Sequence, residues 1–170
     1  MSRIDFVTGA PEKYAHLVDR LSVVPGRYRA ALDRVADAAM QATPPDCWSP
    51  QRILAHVAFL AEANDVFIYQ LATMSEPTRK AFPSGYEAIE LEALPAGDLL
   101  QRIEEALGRT VALLALTPDA AWGRPGYVRG LRRSLRQQVE GHAHHFDEHL
   151  AELQRLLSAQ APSAAGAHAR

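Results

Sequence analysis

The sequence contains very little cysteine. Cys47 is the one cysteine among 170 residues, so an intrachain disulfide and a zinc site made of several thiolates are both excluded. This usage fits a reducing compartment, and we expect the protein to be cytoplasmic. Because no basic residue is adjacent to Cys47 in the sequence, we interpret it as a small buried residue and not as a nucleophile.

Long hydrophobic runs and an excess of charge of one sign are absent as well. The most apolar stretch, residues 111–116, is too short to cross a bilayer, and no apolar run follows a basic start as it would in a secretory signal peptide. There are 18 basic and 20 acidic residues, which gives a net charge of −2. A balance so near zero argues against a nucleic-acid partner and against binding to a membrane surface.

What the chain does have is helical periodicity. Apolar residues recur every three or four positions, with no sustained alternation of the strand type. This pattern predicts helices over about residues 11–24, 26–39, 50–72, 98–116 and 131–157, with a break at Pro25 and a helix start at Ser49 and Pro50. We therefore expect an all-α four-helix bundle in one domain, residues 1–157, followed by a disordered, Ala-rich tail over residues 158–170.

Histidine is the residue in excess. The sequence has seven, and four of them lie close together: His142, His144, His145 and His149. On a helix, His145 and His149 lie about 60° and about 20° from His142, whereas His144 points to the opposite side. The first three therefore share an apolar stripe, and we interpret His144 as a surface residue.

Two of these histidines have the spacing of metal ligands. His145 and His149 are four residues apart, which lets imidazoles on successive turns bind one ion, and His56 lies on the apolar face of another predicted helix. Three nitrogen ligands would leave a position open for water or substrate, as in catalytic sites. The alternative is that all three are core histidines with satisfied hydrogen bonds. His142 is either a neighbour that orients the ligands or a fourth ligand.

Several segments together resemble the DinB/YfiT-like superfamily of metalloenzymes. They are Trp48-Ser49-Pro50, then His56 within residues 53–58, then residues 145–150 with His145 and His149. Residues 24–28 also resemble the early proline segment of that family. The resemblance covers about residues 15–157, and the order and separation of these short motifs make it fairly specific.

The resemblance implies a four-helix bundle with up-down-down-up connections, often paired as a homodimer. It implies a divalent metal held by His56, His145 and His149, with nickel or zinc as the first choice and iron or manganese as alternatives. Characterised members include transferases that use bacillithiol or mycothiol and a mycothiol-dependent isomerase. A low-molecular-weight thiol is therefore an expected cosubstrate.

The chain also departs from the family pattern. Members often carry an acidic residue within a turn of the first histidine, but here Glu62 lies about 120° from His56 around the helix. The loop before the last helix lacks histidine and carries Trp122, Tyr127 and Arg129, which are our candidates for substrate binding.

Three functions are compatible with these residues. The first is a transferase, or an isomerase or lyase, that uses a thiol bound at the three-histidine site. The second is a hydrolase that uses metal-bound water. The third is a non-catalytic module that binds a metal or a small ligand, for example in a stress response.

Overall fold

The structure is a computed structural model that describes residues 11–79 and 90–160. Its helices are α1 (Glu12–Ser22), α2 (Val24–Ala31), α3 (Asp37–Gln41), α4 (Pro50–Thr73), α5 (Ala96–Ala115), α6 (Asp119–Trp122) and α7 (Leu135–Gln160), with a 3₁₀ turn at Leu91–Ala93. Its strands are β1 (Thr78–Arg79), β2 (Pro125–Val128) and β3 (Leu131–Ser134).

α4 packs against α7 in the antiparallel direction. Near the start of α4, His56 meets His145 on α7. Two turns further along α4, Asn64 meets Gln138, which lies two turns earlier on α7. The apolar side chains between these contacts belong to one continuous core.

α5 packs against α4 in the parallel direction. Glu62 pairs with Arg102, and further along both helices Asp65 pairs with Arg109. Two parallel neighbours need a connection that returns along the length of the bundle. Of the segment between α4 and α5, the structure describes residues 74–79 and 90–95.

α1 and α2 form the remaining corner of the bundle, between α5 and α7. Lys13 at the start of α1 pairs with Asp119, just beyond the end of α5, whereas Arg29 in α2 pairs with Glu104 near the start of α5. These pairs make α1 and α2 antiparallel to α5. The directions of the four segments are therefore up, down, down, up, which confirms the predicted bundle.

Two helix boundaries predicted from the sequence, at Pro25 and at Ser49, are present in the structure. α1 ends at Ser22 and α2 begins at Val24, with Pro25 in its first turn, where the missing N–H costs no helical hydrogen bond. At the start of α4, the Oγ atom of Ser49 accepts a hydrogen bond from the backbone N–H of Arg52 at 3.1 Å. Ser49 is thus the N-cap of α4.

Other helix boundaries differ from the prediction. The helix predicted over residues 26–39 ends at Ala31, and the separate short helix α3 begins at Asp37. At its C-terminal end, α7 continues to Gln160, three residues into the predicted tail. Residues 161–170 of that tail lie outside the described part of the chain.

A three-stranded sheet stands where the sequence predicted a loop and a helix start. β2 pairs in parallel with β1 and antiparallel with β3. Arg129 and Gly130 join β2 to β3 and both have positive φ, 51° and 77°, the signature of a type I′ hairpin turn. The prediction that the last helix begins at Leu131 is wrong, because four-residue strands are too short to show alternation. α7 begins at Leu135.

None of the helices in the two described ranges is both long and apolar enough to span a membrane.

Gly126 allows the sheet to pack directly on the end of α4. A Cβ atom there would lie 2.5 Å from Leu71 Cδ2 and 2.8 Å from the carbonyl oxygen of Pro77. That oxygen also accepts a hydrogen bond from the N–H of Tyr127 at 2.9 Å. A shift of β2 away from Pro77 would therefore break the pairing between β1 and β2.

We expect Gly126→Ala to lower the free energy of unfolding by about 1–3 kcal/mol, the usual cost of overpacking, in urea denaturation. The matched control is Gly123→Ala, because a Cβ atom at Gly123 meets nothing within 4 Å. It should change the free energy of unfolding by less than about 0.5 kcal/mol. Equal stability of the two variants would contradict the close packing at Gly126.

Candidate metal centre

Three histidine side chains converge between α4 and α7. His56 lies in the second turn of α4, and His145 and His149 lie on successive turns of α7. The Nε2 atom of His145 is 3.0 Å from Nε2 of His149 and 3.4 Å from Nε2 of His56. One ligand atom from each residue lies within 4.8 Å of the others. The structure therefore brings together the three residues that the sequence singled out.

The separations of the three nitrogens fit a common metal ion. Imidazole nitrogens bind zinc at about 2.0–2.1 Å, so two ligands of one ion lie about 2.8–3.4 Å apart. Neutral imidazoles that direct lone pairs at each other repel, whereas a cation between them turns that repulsion into binding. Zinc and nickel both accept such a set of nitrogen donors. Because the group offers three nitrogen donors among the described residues, a tetrahedral ion held there would keep one position for water or substrate.

Each of the two α7 histidines has a glutamate three residues further along the helix. Nδ1 of His149 is 3.3 Å from Oε2 of Glu152, and Nδ1 of His145 is 3.6 Å from Oε2 of Glu148. Glu152 can accept a hydrogen bond from Nδ1 of His149, which leaves the Nε2 lone pair of that ring for a metal. The separation of Glu148 from His145 is too long for a hydrogen bond, but its negative charge favours a proton on Nδ1 there as well.

The centre opens to solvent on the side of His145. His56 is buried and the His149 side chain is 14% exposed, whereas the His145 side chain is 41% exposed. Partial burial, and then the charge of His149, lower the pKa of His145. Its imidazole is therefore neutral at pH 7, the form that binds a metal.

Trp48 packs against the imidazole ring of His56. The two rings meet edge to face with centroids 5.1 Å apart, and the Arg52 guanidinium lies 4.8 Å from the Trp48 ring centroid. Trp48 therefore supports the buried ligand by packing.

His142 belongs to a buried polar network and lies outside the group of three. Oδ1 of Asn64 accepts hydrogen bonds from Nε2 of Gln138 at 2.7 Å and Nη1 of Arg79 at 2.9 Å. Since arginine has donors only, these contacts fix which end of the Asn64 amide is oxygen. The amide nitrogen of Asn64, 3.1 Å from Nδ1 of His142, therefore donates to it, and His142 carries its proton on Nε2.

Burial, and then the charges of His145 and Arg79, lower the pKa of His142 to about 3. His142 is therefore a neutral, hydrogen-bonded side chain one turn before His145. His142 is not among the three converging histidines, and its hydrogen-bond partner is Asn64. The two roles proposed from the sequence stay predictions.

A cavity of about 440 Å³ adjoins the centre and has His145 in its wall. Three arginines line it: Arg79 from β1, Arg129 from the hairpin turn and Arg133 from β3. Its apolar wall consists of Leu60, Val128 and Leu131. The described residues that line the cavity include these three arginines and no acidic residue.

The three substrate-binding candidates lie in different places. Arg129 lines the cavity, whereas Tyr127 is half-buried in β2 and is not among its lining residues. Trp122 is fully buried, stacks on Tyr14 with centroids 4.4 Å apart and donates its indole N–H to the carbonyl of Thr117. This placement gives Trp122 a role in the core and does not support substrate binding.

Two other interpretations agree with the structure. His144 is exposed, and its Nε2 atom lies 3.2 Å from a carboxylate oxygen of Glu148 on the next turn. Glu62 pairs with Arg102 at 2.9 Å, so it is not a base at the centre.

Arg79, Arg133, Asn64 and Gln138 were not proposed as functional residues from the sequence. Asn64 and Gln138 carried a usable signal, because a polar residue on the apolar face of a helix needs a buried partner. The two arginines carried none, since their convergence depends on strand pairing between distant segments.

Comparisons with known proteins place the chain in a family. The sequence profile described as the DinB superfamily matches residues 20–153. No curated protein sequence matches the chain.

Solved structures with a similar fold include a Bacillus subtilis protein and an isomerase. YfiT from Bacillus subtilis, described as a probable metal-dependent hydrolase with an unusual four-helix bundle topology, has a TM-score of 0.74 at 19% identity and covers 93% of each chain. The mycothiol-dependent maleylpyruvate isomerase has a TM-score of 0.64 at 18% identity and covers 82% of this chain but 60% of the isomerase. The profile match, the bundle topology and the three converging histidines lead to one conclusion: this chain belongs to the DinB superfamily.

Proposed function

We propose that this protein is a divalent-metal-dependent enzyme that uses a low-molecular-weight thiol in a transfer, isomerisation or elimination reaction. One observation carries the proposal: three imidazole Nε2 atoms converge at the wall of a cavity of small-molecule size. Residues 1–157 would form the catalytic domain. The family resemblance extends the proposal to a homodimer in the cytoplasm.

In this proposal the three histidines hold the metal ion that activates the nucleophile. When bound, a zinc or nickel ion lowers the pKa of a thiol or of water at its open position, so that a nucleophile forms near pH 7. His56, His145 and His149 would hold the ion, and Glu148 and Glu152 would keep the ring protons on Nδ1.

The thiol must come from a second molecule. Cys47 is the one cysteine in the sequence, and it is not part of the histidine group. A substrate would approach from the cavity, because His145 lines it while His56 is buried against Trp48. Since Glu62 is engaged by Arg102, the thiol proton would leave to solvent on the open side of His145.

Hydrolysis is the second candidate. The exposed side chain of His145 leaves the centre accessible to water, and the Bacillus subtilis protein with the same topology is described as a probable metal-dependent hydrolase. In this case the nucleophile would be water and no thiol would be required.

The metal site predicts a specific pattern of binding. In isothermal titration at pH 7.5, the wild type should bind zinc or nickel at one ion per chain. His145→Ala should weaken this affinity by about 100-fold or more. Loss of a residue that only hydrogen-bonds a metal ligand costs less, about 10–100-fold. The matched control is His144→Ala, an exposed histidine on the same helix, which should bind as the wild type does. Equal affinity in the two variants would show that the histidine group is not the metal site.

Turnover separates the two enzyme functions. With zinc-loaded protein, mycothiol or bacillithiol and the electrophile 1-chloro-2,4-dinitrobenzene, we expect thioether formation that is lost on chelation and restored by zinc. His145→Ala should reduce the rate by about 100-fold or more, since a ligand of the activating ion is missing. Metal-dependent hydrolysis of an ester with no need for thiol would favour the hydrolase. No metal-dependent turnover with either substrate would favour the non-catalytic module.

A further inference from the structure

The small sheet brings three guanidinium groups to one cavity. Arg79 pairs in register with Val128, Arg129 follows at the hairpin turn, and Arg133 comes from β3. Burial, and then the charge of Arg129, lower the pKa of Arg79, which shows that the positive charge of Arg129 acts on Arg79. An anion bound beside Arg129 and Arg133 would face two positive charges on one side of the cavity.

Two of these three arginines, Arg129 and Arg133, differ from most other arginines of the described chain in their partners. Elsewhere in the bundle, several arginines face a carboxylate: Arg20, Arg27, Arg29, Arg102, Arg109 and Arg136. In contrast, Arg129 and Arg133 pair with no acidic residue in the described part of the chain, and no described wall residue is Asp or Glu. Two basic groups are therefore available to a ligand.

Arg79 is held in place before any ligand arrives. Its Nη1 atom donates to Oδ1 of Asn64 at 2.9 Å, and the Asn64 amide is itself fixed by Gln138 and by the carbonyl of Leu60. A guanidinium held in this way has already lost its rotamer freedom, which lowers the entropic cost of binding.

Arg133 connects the cavity to the histidine centre. A Cβ atom on Gly141 would lie 3.2 Å from Nη1 of Arg133, so this guanidinium lies against α7 at Gly141. Gly141 precedes His145 by one helical turn, about 6 Å along the axis. A ligand whose acid group binds Arg133 would therefore have its other end near His145, which lines the same cavity.

We propose that Arg79, Arg129 and Arg133 bind a carboxylate of the substrate or of the thiol cosubstrate and so direct its reacting end to the three-histidine centre. This inference rests on the proposed function and assigns its substrate class, a small organic acid. Arginine suits the task because its planar fork binds a carboxylate through two hydrogen bonds. The apolar wall of Leu60, Val128 and Leu131 favours a carbon skeleton over inorganic phosphate.

The test is isothermal titration of the zinc-loaded full chain with succinate, 3-mercaptopropionate, the uncharged thiol 2-mercaptoethanol and inorganic phosphate. Succinate represents an acidic substrate, and 3-mercaptopropionate represents an acidic thiol. We expect Arg133→Gln to weaken the binding of at least one of the two acids by about tenfold, the effect of losing a charge-assisted pair. Arg132→Gln is the matched control, because Arg132 is the preceding residue of β3 and does not line this cavity; it should change binding less than twofold.

The outcomes separate this inference from the proposed function. Zinc affinity should be the same in Arg133→Gln and the wild type, because the substitution lies outside the histidine group. Normal zinc binding with equal acid affinity in Arg133→Gln and Arg132→Gln would overturn the carboxylate subsite and leave the metal site intact. Binding of phosphate but of neither acid would also overturn it. Failure of zinc to bind the wild type would instead overturn the proposed function.

Discussion

The antiparallel packing of α4 on α7 is the constraint on which the centre depends. α4 contributes one histidine and α7 contributes two, so the group of three exists only when the helices are docked in one register. The same register is fixed two turns away, where Asn64 meets Gln138 and His142. Metal binding and bundle packing should therefore be coupled, because an ion that binds the docked helices does not bind the unfolded chain equally well.

The small sheet contributes the arginines of the cavity beside the histidine group. The helices supply neutral nitrogen donors, whereas the strands and their turn supply the positive charge of the adjoining cavity through Arg79, Arg129 and Arg133. Asn64 links the two parts, because it accepts from Arg79 on the sheet and from Gln138 on α7. In the proposed function, the neutral imidazoles would bind the cation and the guanidinium groups would bind an organic anion.

Much of the helical frame and the histidine group could be predicted from the sequence, because helical periodicity and the spacing of His145 and His149 are local signals. The sheet could not, since its strands are too short to alternate and β1 pairs with a segment far along the chain. The buried position of Trp122 could not be predicted for a related reason: its loop contains the helical turn α6, and the indole stacks on Tyr14. The spacing of His142 predicted that it lies on the apolar face of the last helix. Its hydrogen-bond partner could not be predicted, because Asn64 lies on another helix.

X-ray absorption spectroscopy of the zinc-loaded protein is the most direct measurement of the central claim. We predict a first shell with three imidazole nitrogens at about 2.0–2.1 Å and at least one further light ligand. In the His56→Ala variant, the imidazole count should fall from three to two, since α4 contributes one ligand. A shell that contains sulfur from Cys47, or an imidazole count that does not change in His56→Ala, would contradict a metal centre built by α4 and α7.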